Sequence, residues 1–425
     1  MILMLTLGLV LFLMMGLPVA GALGLSSLGA ALIGGGPFTF TILSQKMQFA
    51  LQNFLLLAIP LFILAAKLMN TSGISMRIFR FADTLVGFLP GGLAHANILG
   101  SLIFSGMSGA AVVDAAGLGQ IEIDAMTKSG YSKKFSAACT AASSIIGPIF
   151  PPSIPMVVFS FVSGVSVGRL FLGGVVPGLL MTAALMAWVA YQAKKYGYPK
   201  QPFPSWAIAR KSFAAAIVPL LAPVILLGGI WGGFFTPTEA AAVAALYALI
   251  VGVFVMRELS LREIARVFVE TARETAIIGF LVAASTFYGW VLMRTGLTLK
   301  LAAGLIALSE NPWVILIVIN LFLLVVGCFI DSTVAILILG PLFMPVISAV
   351  GLDPVHFGVV MVLNLMIGLL TPPFGIILFV MVQITGLSFE EIVRATLPTL
   401  VPLLVVLVLI TFYPPLVTWL PTLIM

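Results

Sequence analysis

Residues able to do chemistry are scarce in this chain and fall in a few places. Asp331 stands in Gly327-Cys328-Phe329-Ile330-Asp331-Ser332-Thr333, inside a long apolar run. A carboxylate in such a setting is costly to ionise and usually functional, so it is expected to help neutralise a cation. The same half of the chain also offers the hydroxyl and amide oxygens of Ser332, Thr333, Asn364 and Thr371. The first half offers Ser105, Ser108, Ser143, Ser144 and Ser153. Two further stretches add backbone oxygens: Ile145-Ile146-Gly147-Pro148-Ile149-Phe150-Pro151-Pro152-Ser153 and Met366-Ile367-Gly368-Leu369-Leu370-Thr371-Pro372-Pro373-Phe374. Each sets a Pro-Pro pair and a glycine in the middle of an apolar run. A proline inside a helix removes a backbone donor and clashes with the carbonyl one turn back. In hydrocarbon the freed groups are tolerated only where they face protein or a watery cavity. Such breaks in matching places of two halves point to the binding site of a transporter.

Carbonyl-rich helix ends joined by side-chain oxygens suit a hard cation such as Na⁺, and positive helix N-termini suit a carboxylate. One Na⁺ cage is therefore expected from Ser105, Ser108, Gly109, Ser143, Gly147 and Pro151. A second is expected from Gly327, Asp331, Ser332, Asn364, Gly368 and Thr371. The competing reading is that the small polar residues only let helices pack closely. Asp114 follows the first Ser-Gly cluster by a turn or two and is expected nearer solvent. Glu239 opens a span just after Pro237, where the helix dipole favours an acid. Arg294 ends a span, where it either attracts an anion or an acidic partner or snorkels to the interface. His95 and His356 sit at element starts and read as caps or packing. Cys139 and Cys328 read as structural thiols, without metal spacing. No nucleophile–base pair, metal-enzyme cluster or phosphate-cradling loop followed by Lys is visible, so neither an enzyme nor a nucleotide hydrolase is expected.

The elements that must position these residues cross a membrane. The chain is 61% hydrophobic and 8% charged, with mean hydropathy +1.24, and apolar runs recur from end to end. This is the pattern of an all-α polytopic membrane protein. Its net charge of +6 is topology information and not a nucleic-acid signal. The first residues read as a span and not a removable leader, since no cleavage site follows. Gly106 and Gly327 lie 221 positions apart. The same offset takes Gly119 to Gly340, Gly147 to Gly368, Pro151 to Pro372, Pro152 to Pro373 and Pro177 to Pro398. Such a period means duplicated halves: a first repeat over 1–193, a linker over 194–212 and a second repeat over 213–425.

Within the first repeat, spans are expected at 1–16, 18–35 and 50–70, and an interfacial arm at 74–89. A re-entrant hairpin follows over 91–126 with its tip at Ser105–Gly109, because each side, of about 15 residues, is too short to cross at 1.5 Å per residue. A broken helix at 135–162 and a span at 170–192 complete the half. The second half repeats the order, with spans at 213–232 and 238–256, an arm at 259–272 and a span at 274–293. A hairpin at 305–346 with its tip at 327–333, a broken helix at 357–383 and a last span at 396–420 follow. With the linker in the cytoplasm, 15 of the 20 Lys and Arg fall on that side, as the positive-inside rule requires. The two hairpins then enter from opposite sides, which makes the repeat inverted.

The motifs resemble a known family. Phe104-Ser105-Gly106-Met107-Ser108-Gly109 with Gly117-Leu118-Gly119-Gln120 is similar to the large membrane subunit of TRAP transporters, the tripartite ATP-independent periplasmic carriers. So are Ile146 to Ser153, Phe235-Thr236-Pro237-Thr238-Glu239-Ala240 and Gly368-Leu369-Leu370-Thr371-Pro372-Pro373. The resemblance spans essentially the whole chain. It implies an inner-membrane protein that imports a small carboxylate (a C4-dicarboxylate, sugar acid or sialic acid) on a Na⁺ gradient, with no cofactor beyond the coupling ion. It implies a periplasmic substrate-binding protein and a small four-helix membrane subunit as partners. It also implies an elevator in which hairpins and broken helices move against a fixed scaffold. Carried over by position, Ser108 and the first break belong to one Na⁺ site, and Asp331 and the second break to another. Arg294, Glu239, Ser153 and Pro152 fall where substrate or partner engages. Ala110 and Ala111 stand where some relatives carry another hydroxyl. The competing function is a self-sufficient cation-coupled anion carrier.

Overall fold

Apolar runs in this chain stop where a capping side chain, a glycine or a proline supplies an ending, and they fold as helices between those points. The computed structural model describes residues 1–34, 40–309 and 311–425. Among the described residues every regular element is helical. The first half runs α1 (Ile2–Met14), α2 (Val19–Ile33), α3 (Phe40–Leu51), α4 (Ala58–Thr71), α5 (Ile74–Val86), α6 (Gly92–Ser108), α7 (Ala111–Lys128), α8 (Lys133–Ser144), α9 (Ile154–Ser163) and α10 (Val167–Tyr196). The second runs α11 (Trp206–Trp231), α12 (Pro237–Ile250), α13 (Leu261–Arg294), α14 (Leu297–Leu308), α15 (Pro312–Gly327), α16 (Ser332–Ala349), α17 (Pro354–Gly368), α18 (Ile376–Thr385), α19 (Phe389–Phe412) and α20 (Pro415–Ile424). Among the described residues seven segments are long and apolar enough to cross a membrane.

The caps explain the boundaries. Ser132 accepts from the Phe135 amide at 3.2 Å and starts α8. Ser388 and Glu391 form a capping box that starts α19, and Ser260 and Glu263 do the same for α13. Each such box satisfies two amides that a helix start would otherwise leave unpaired.

The helices form two groups by packing. In the frame, α2, α3 and α4 lie against α13, α4 also lies against α12, and α5 against α11. Lys67 of α4 bonds Glu270 at 3.1 Å and Glu274 at 2.8 Å, both on α13. The other group holds both hairpins and both broken helices, with α10 and α19 packed on each other. Within it the halves cross: α7 of the first hairpin packs on α18, and α16 of the second packs on α9. Of Gly119 and Gly340, related by the 221-residue offset, the first lies against Thr140 of α8 with Met381 of α18 at the edge of contact, and the second lies against Val162 of α9. The groups meet where α6 lies on α4, α5 and α11 and where α16 lies on α13 and α14.

Several boundaries differ from the sequence reading. The expected arm at 259–272 and span at 274–293 are one 34-residue helix, α13. Its apolar and charged stretches share a continuous backbone because no proline or glycine interrupts the region where they join. Residues 40–49, unassigned from sequence, belong to α3, which also takes the first two residues of the expected 50–70 span. Residues 297–308 form a separate helix, so the second hairpin starts at Pro312 and not at 305; Glu310, inside the expected range, lies outside the described residues, as does Gly35 at the end of the second expected span. The last span is two helices, divided at Tyr413-Pro414. Only residues 197–205 of the 194–212 stretch are non-helical. The arms α6 and α7 have 17 and 18 residues, longer than expected.

Candidate functional site

In the first half the hairpin tip lies on the break. α6 ends at Gly109, whose φ of 62° is the left-handed region, open to glycine without steric cost. Its missing side chain lets the Pro152 carbonyl approach: a Cβ there would sit 2.7 Å from that oxygen. The Ile154 amide then donates to the Gly109 carbonyl at 3.1 Å. Ser153 caps α9, accepting from the Met156 amide at 3.2 Å and donating to the Pro148 carbonyl. The peptide bond between Pro151 and Pro152 is cis. The carbonyls of Gly147, Pro151 and Pro152 accept no hydrogen bond among the described residues.

Ser108, at the end of α6, donates to Asp114 Oδ1 on α7. Asp114 Oδ2 has no hydrogen-bond partner and lies against Gly147, where a Cβ would collide with it. Asp114 is 2% exposed. It is therefore not nearer solvent, because the turn at Gly109 folds the start of α7 back under the break. Glu122, two turns further along α7, is also buried, with an unpartnered Oε1; the sequence reading did not single it out. Ser105 donates to the Leu102 carbonyl and Ser144 to the Ala141 carbonyl, so both hydroxyls bond to their own helix. Ser143 reaches further: besides the Thr140 carbonyl of its own helix at 3.1 Å, it donates to Asn97 Oδ1 on α6 at 2.6 Å.

The second half repeats the arrangement. The Phe374 amide, in the break between α17 and α18, donates to the Cys328 carbonyl of the tip at 3.3 Å. Gly327 and Gly368 meet backbone to backbone. Asp331 caps α16, accepting from the Thr333 amide at 2.8 Å, and is half-buried. Ser332 is buried at the first position of α16. Thr371 bonds back to the Ile367 carbonyl at 2.9 Å. Pro372-Pro373 is cis, as in the first half. The carbonyls of Thr371, Pro372 and Pro373 accept no hydrogen bond among the described residues. Asn364 donates to Asn320 Oδ1 at 2.8 Å and to its carbonyl at 3.0 Å; its own Oδ1 is buried without a partner.

Arg294 is exposed at the end of α13, with its guanidinium 5.1 Å from the Trp290 ring centre. Glu239 is exposed and completes a capping box with Thr236, accepting from that amide at 2.8 Å. This is the dipole-favoured role weighed from sequence. Neither residue is joined to a tip or a break by a hydrogen bond or ion pair among the described residues. His356 bonds the Ile410 carbonyl at 2.7 Å and His95 is buried, so both pack. Cys139 and Cys328 are free thiols.

Asn97, Thr140, Asn320 and Thr411 escaped the sequence reading, although Ser143 and Asn364, their neighbours, are related by the 221-residue offset. A crevice of about 350 Å³ opens between α4, α7 and α13, lined by Lys67, Asn70, Val113, Gly117, Arg266 and Glu270 among others.

Comparison with known proteins fits this geometry. Residues 6–416 match the family model described as tripartite ATP-independent periplasmic transporter, DctM component. The sialic acid TRAP transporter large permease protein SiaM of Vibrio cholerae is 48% identical over 380 residues, 89% of each chain. The C4-dicarboxylate TRAP transporter large permease protein DctM of the same organism is 38% identical, covering 96% of this chain and 95% of that one. Among solved structures, the YdaH transporter of Alcanivorax borkumensis superposes with a TM-score of 0.65 at 16% identity, over 96% of this chain and 98% of that one; this is a likeness of fold alone. A match that runs through both hairpins and both breaks places the chain in the tripartite ATP-independent periplasmic transporter family, as a large permease subunit that spans the inner membrane many times.

Proposed function

We propose that this permease imports a small organic acid (a dicarboxylate, sugar acid or sialic acid) on a Na⁺ gradient. The acid is handed over by a periplasmic substrate-binding protein, and a small four-helix membrane subunit braces the frame. One observation carries the reading: in both halves a hairpin tip and a broken helix meet through their backbones, beside carbonyls that accept no hydrogen bond. Hard cations are held by oxygen ligands, and carbonyls freed near mid-membrane are the usual ligands for a transporter's coupling ion. The donor set fits sodium. It supplies the Gly147, Pro151 and Pro152 carbonyls with Ser108 and the Asp114 carboxylate on one side. On the other it supplies the Thr371, Pro372 and Pro373 carbonyls with Asp331 and Asn364.

Two bound cations would offset the charge of an acid seated near them, which explains why the acid needs sodium to enter. The names of the sialic acid and C4-dicarboxylate relatives support an acid as cargo. In this reading the hairpins are re-entrant and of opposite orientation, and the hairpin-bearing group slides as an elevator against the frame. Arg294 and Glu239 lie on the outer face, where substrate or delivery protein engages.

The test is uptake into proteoliposomes holding this chain and its small subunit, with the binding protein loaded from a panel of carboxylates. Uptake should need both an inward Na⁺ gradient and the binding protein. Uptake by this chain alone would instead make it a self-sufficient carrier, and uptake indifferent to Na⁺ would remove the coupling.

A further inference from the structure

Each half carries one amide cross-link between the hairpin and the helix that runs into the break, buried in the first half and half-buried in the second. In the first half it is Asn97 on α6. Its Nδ2 donates to Thr140 Oγ1 at 2.6 Å, and its Oδ1 accepts from Ser143 Oγ at 2.6 Å. All three side chains are 0–1% exposed. In the second half it is Asn320 on α15, whose Oδ1 accepts from Asn364 Nδ2 at 2.8 Å and whose Nδ2 donates to Thr411 Oγ1 at 3.1 Å. Ser143 and Asn364 occupy equivalent places, each four residues before the glycine that opens its break. Asn97 and Asn320 occupy nearly equivalent places on the first arm of each hairpin.

Buried amides with both ends satisfied fix geometry more sharply than apolar contacts, because any sliding strands a polar group away from water. Here the fixed distance is the one between two helices. α6 leads to the first tip and α8 to the first break, as α15 and α17 do in the second half. The cross-link therefore sits behind the candidate ion oxygens and contributes none from Asn97 or Asn320. In metal sites, partners of this supporting kind tune affinity without touching the ion.

We propose that Asn97 and Asn320 are positioning residues, each setting the cation affinity of its own half by locking the hairpin to the broken helix. This rests on the sodium-coupled reading above. It also implies that the halves are tuned separately, since each amide bonds only within its own half.

The experiment measures the Na⁺ dependence of uptake in proteoliposomes with the partner subunits present. Asn97→Ala and Thr140→Val are compared with the double variant, and Asn320→Ala is measured beside them. Each single change should raise the half-saturating Na⁺ concentration, about tenfold for the asparagines and less for Thr140, with the rate at saturating Na⁺ kept within about twofold. The Asn97→Ala, Thr140→Val pair should be non-additive, because both remove the bond between Asn97 and Thr140. A lowered maximal rate and thermal midpoint with an unchanged half-saturating Na⁺ would make the amides structural and overturn the inference alone. Wild-type uptake indifferent to Na⁺ would overturn the functional reading and the inference with it. Where Asn97→Ala does not fold, Thr140→Val, which removes one hydroxyl at nearly constant shape, decides the same question.

Discussion

Gly368 and Gly327 touch through their main chains where α17 and α15 end. A Cβ built on Gly368 would lie 2.5 Å from the carbonyl carbon of Gly327 and 2.6 Å from its Cα. A Cβ on Gly327 meets Gly368 less severely, at 3.2 Å from its Cα. Main chain cannot yield as a side chain can, so the two glycines are not equivalent.

Gly368→Ala is accordingly expected to destabilise the protein by about 1–3 kcal/mol or more, as overpacking does. Gly327→Ala should cost less. Thermal unfolding of the two variants in detergent checks the order; equal midpoints would mean that the contact is not a tight one.

Asp331 caps α16, and the proposed function gives it a second, separable duty. As the cap of α16 it can be replaced by Asn, whereas Ala would cost that helix about 1 kcal/mol. As a charge facing a cation it cannot be replaced by either. Asp331→Asn should keep the thermal midpoint and lose most Na⁺-driven uptake, while Asp331→Ala should lose both. Normal Na⁺ dependence in the Asn variant would remove Asp331 from the cage.

Ser108 supplies the hydrogen bond that Asp114 Oδ1 accepts, and Oδ2 has none. Ser108→Ala leaves the buried carboxyl without partner and should cost about 1–3 kcal/mol of stability. Ser108→Thr keeps the hydroxyl and should recover much of that loss. Recovery is read from the midpoints of the two variants side by side.

Asp83, on α5, accepts from Gln201 at 3.2 Å while its other oxygen is unpartnered. Burial holds its carboxyl above the usual range, only partly offset by the Gln201 bond. The folded chain thus holds this proton more tightly than the unfolded one. The stability this group contributes is present below about pH 4, the ordinary carboxylate range, and is lost as pH rises through the elevated folded value. Asp83→Asn should stabilise the protein at neutral pH by about 1 kcal/mol, the scale of one poorly satisfied buried group. The gain should vanish in acid, and a gain that persists there would rule out titration of Asp83 as its source.

The chain alone determined where helices run and where they must fail. Prolines 151, 152, 372 and 373, and Gly109, act on their own backbone, and their effect is carried by residues next to them in sequence. Hence both tips, both breaks and most spans were legible, and the duplicated spacing tied one half to the other. Element joints were less so: α13 reads as an arm and a span because composition changes where the backbone does not. Side-chain partnerships were not legible at all. Ser143 meets Asn97 across 46 positions and Asn364 meets Asn320 across 44. Asp114 is buried because α7 turns back beneath the break, not because of its neighbours in sequence. Local sterics decide whether a helix can continue, but burial and hydrogen-bond partners depend on which distant helix arrives alongside, and only the packed structure decides that.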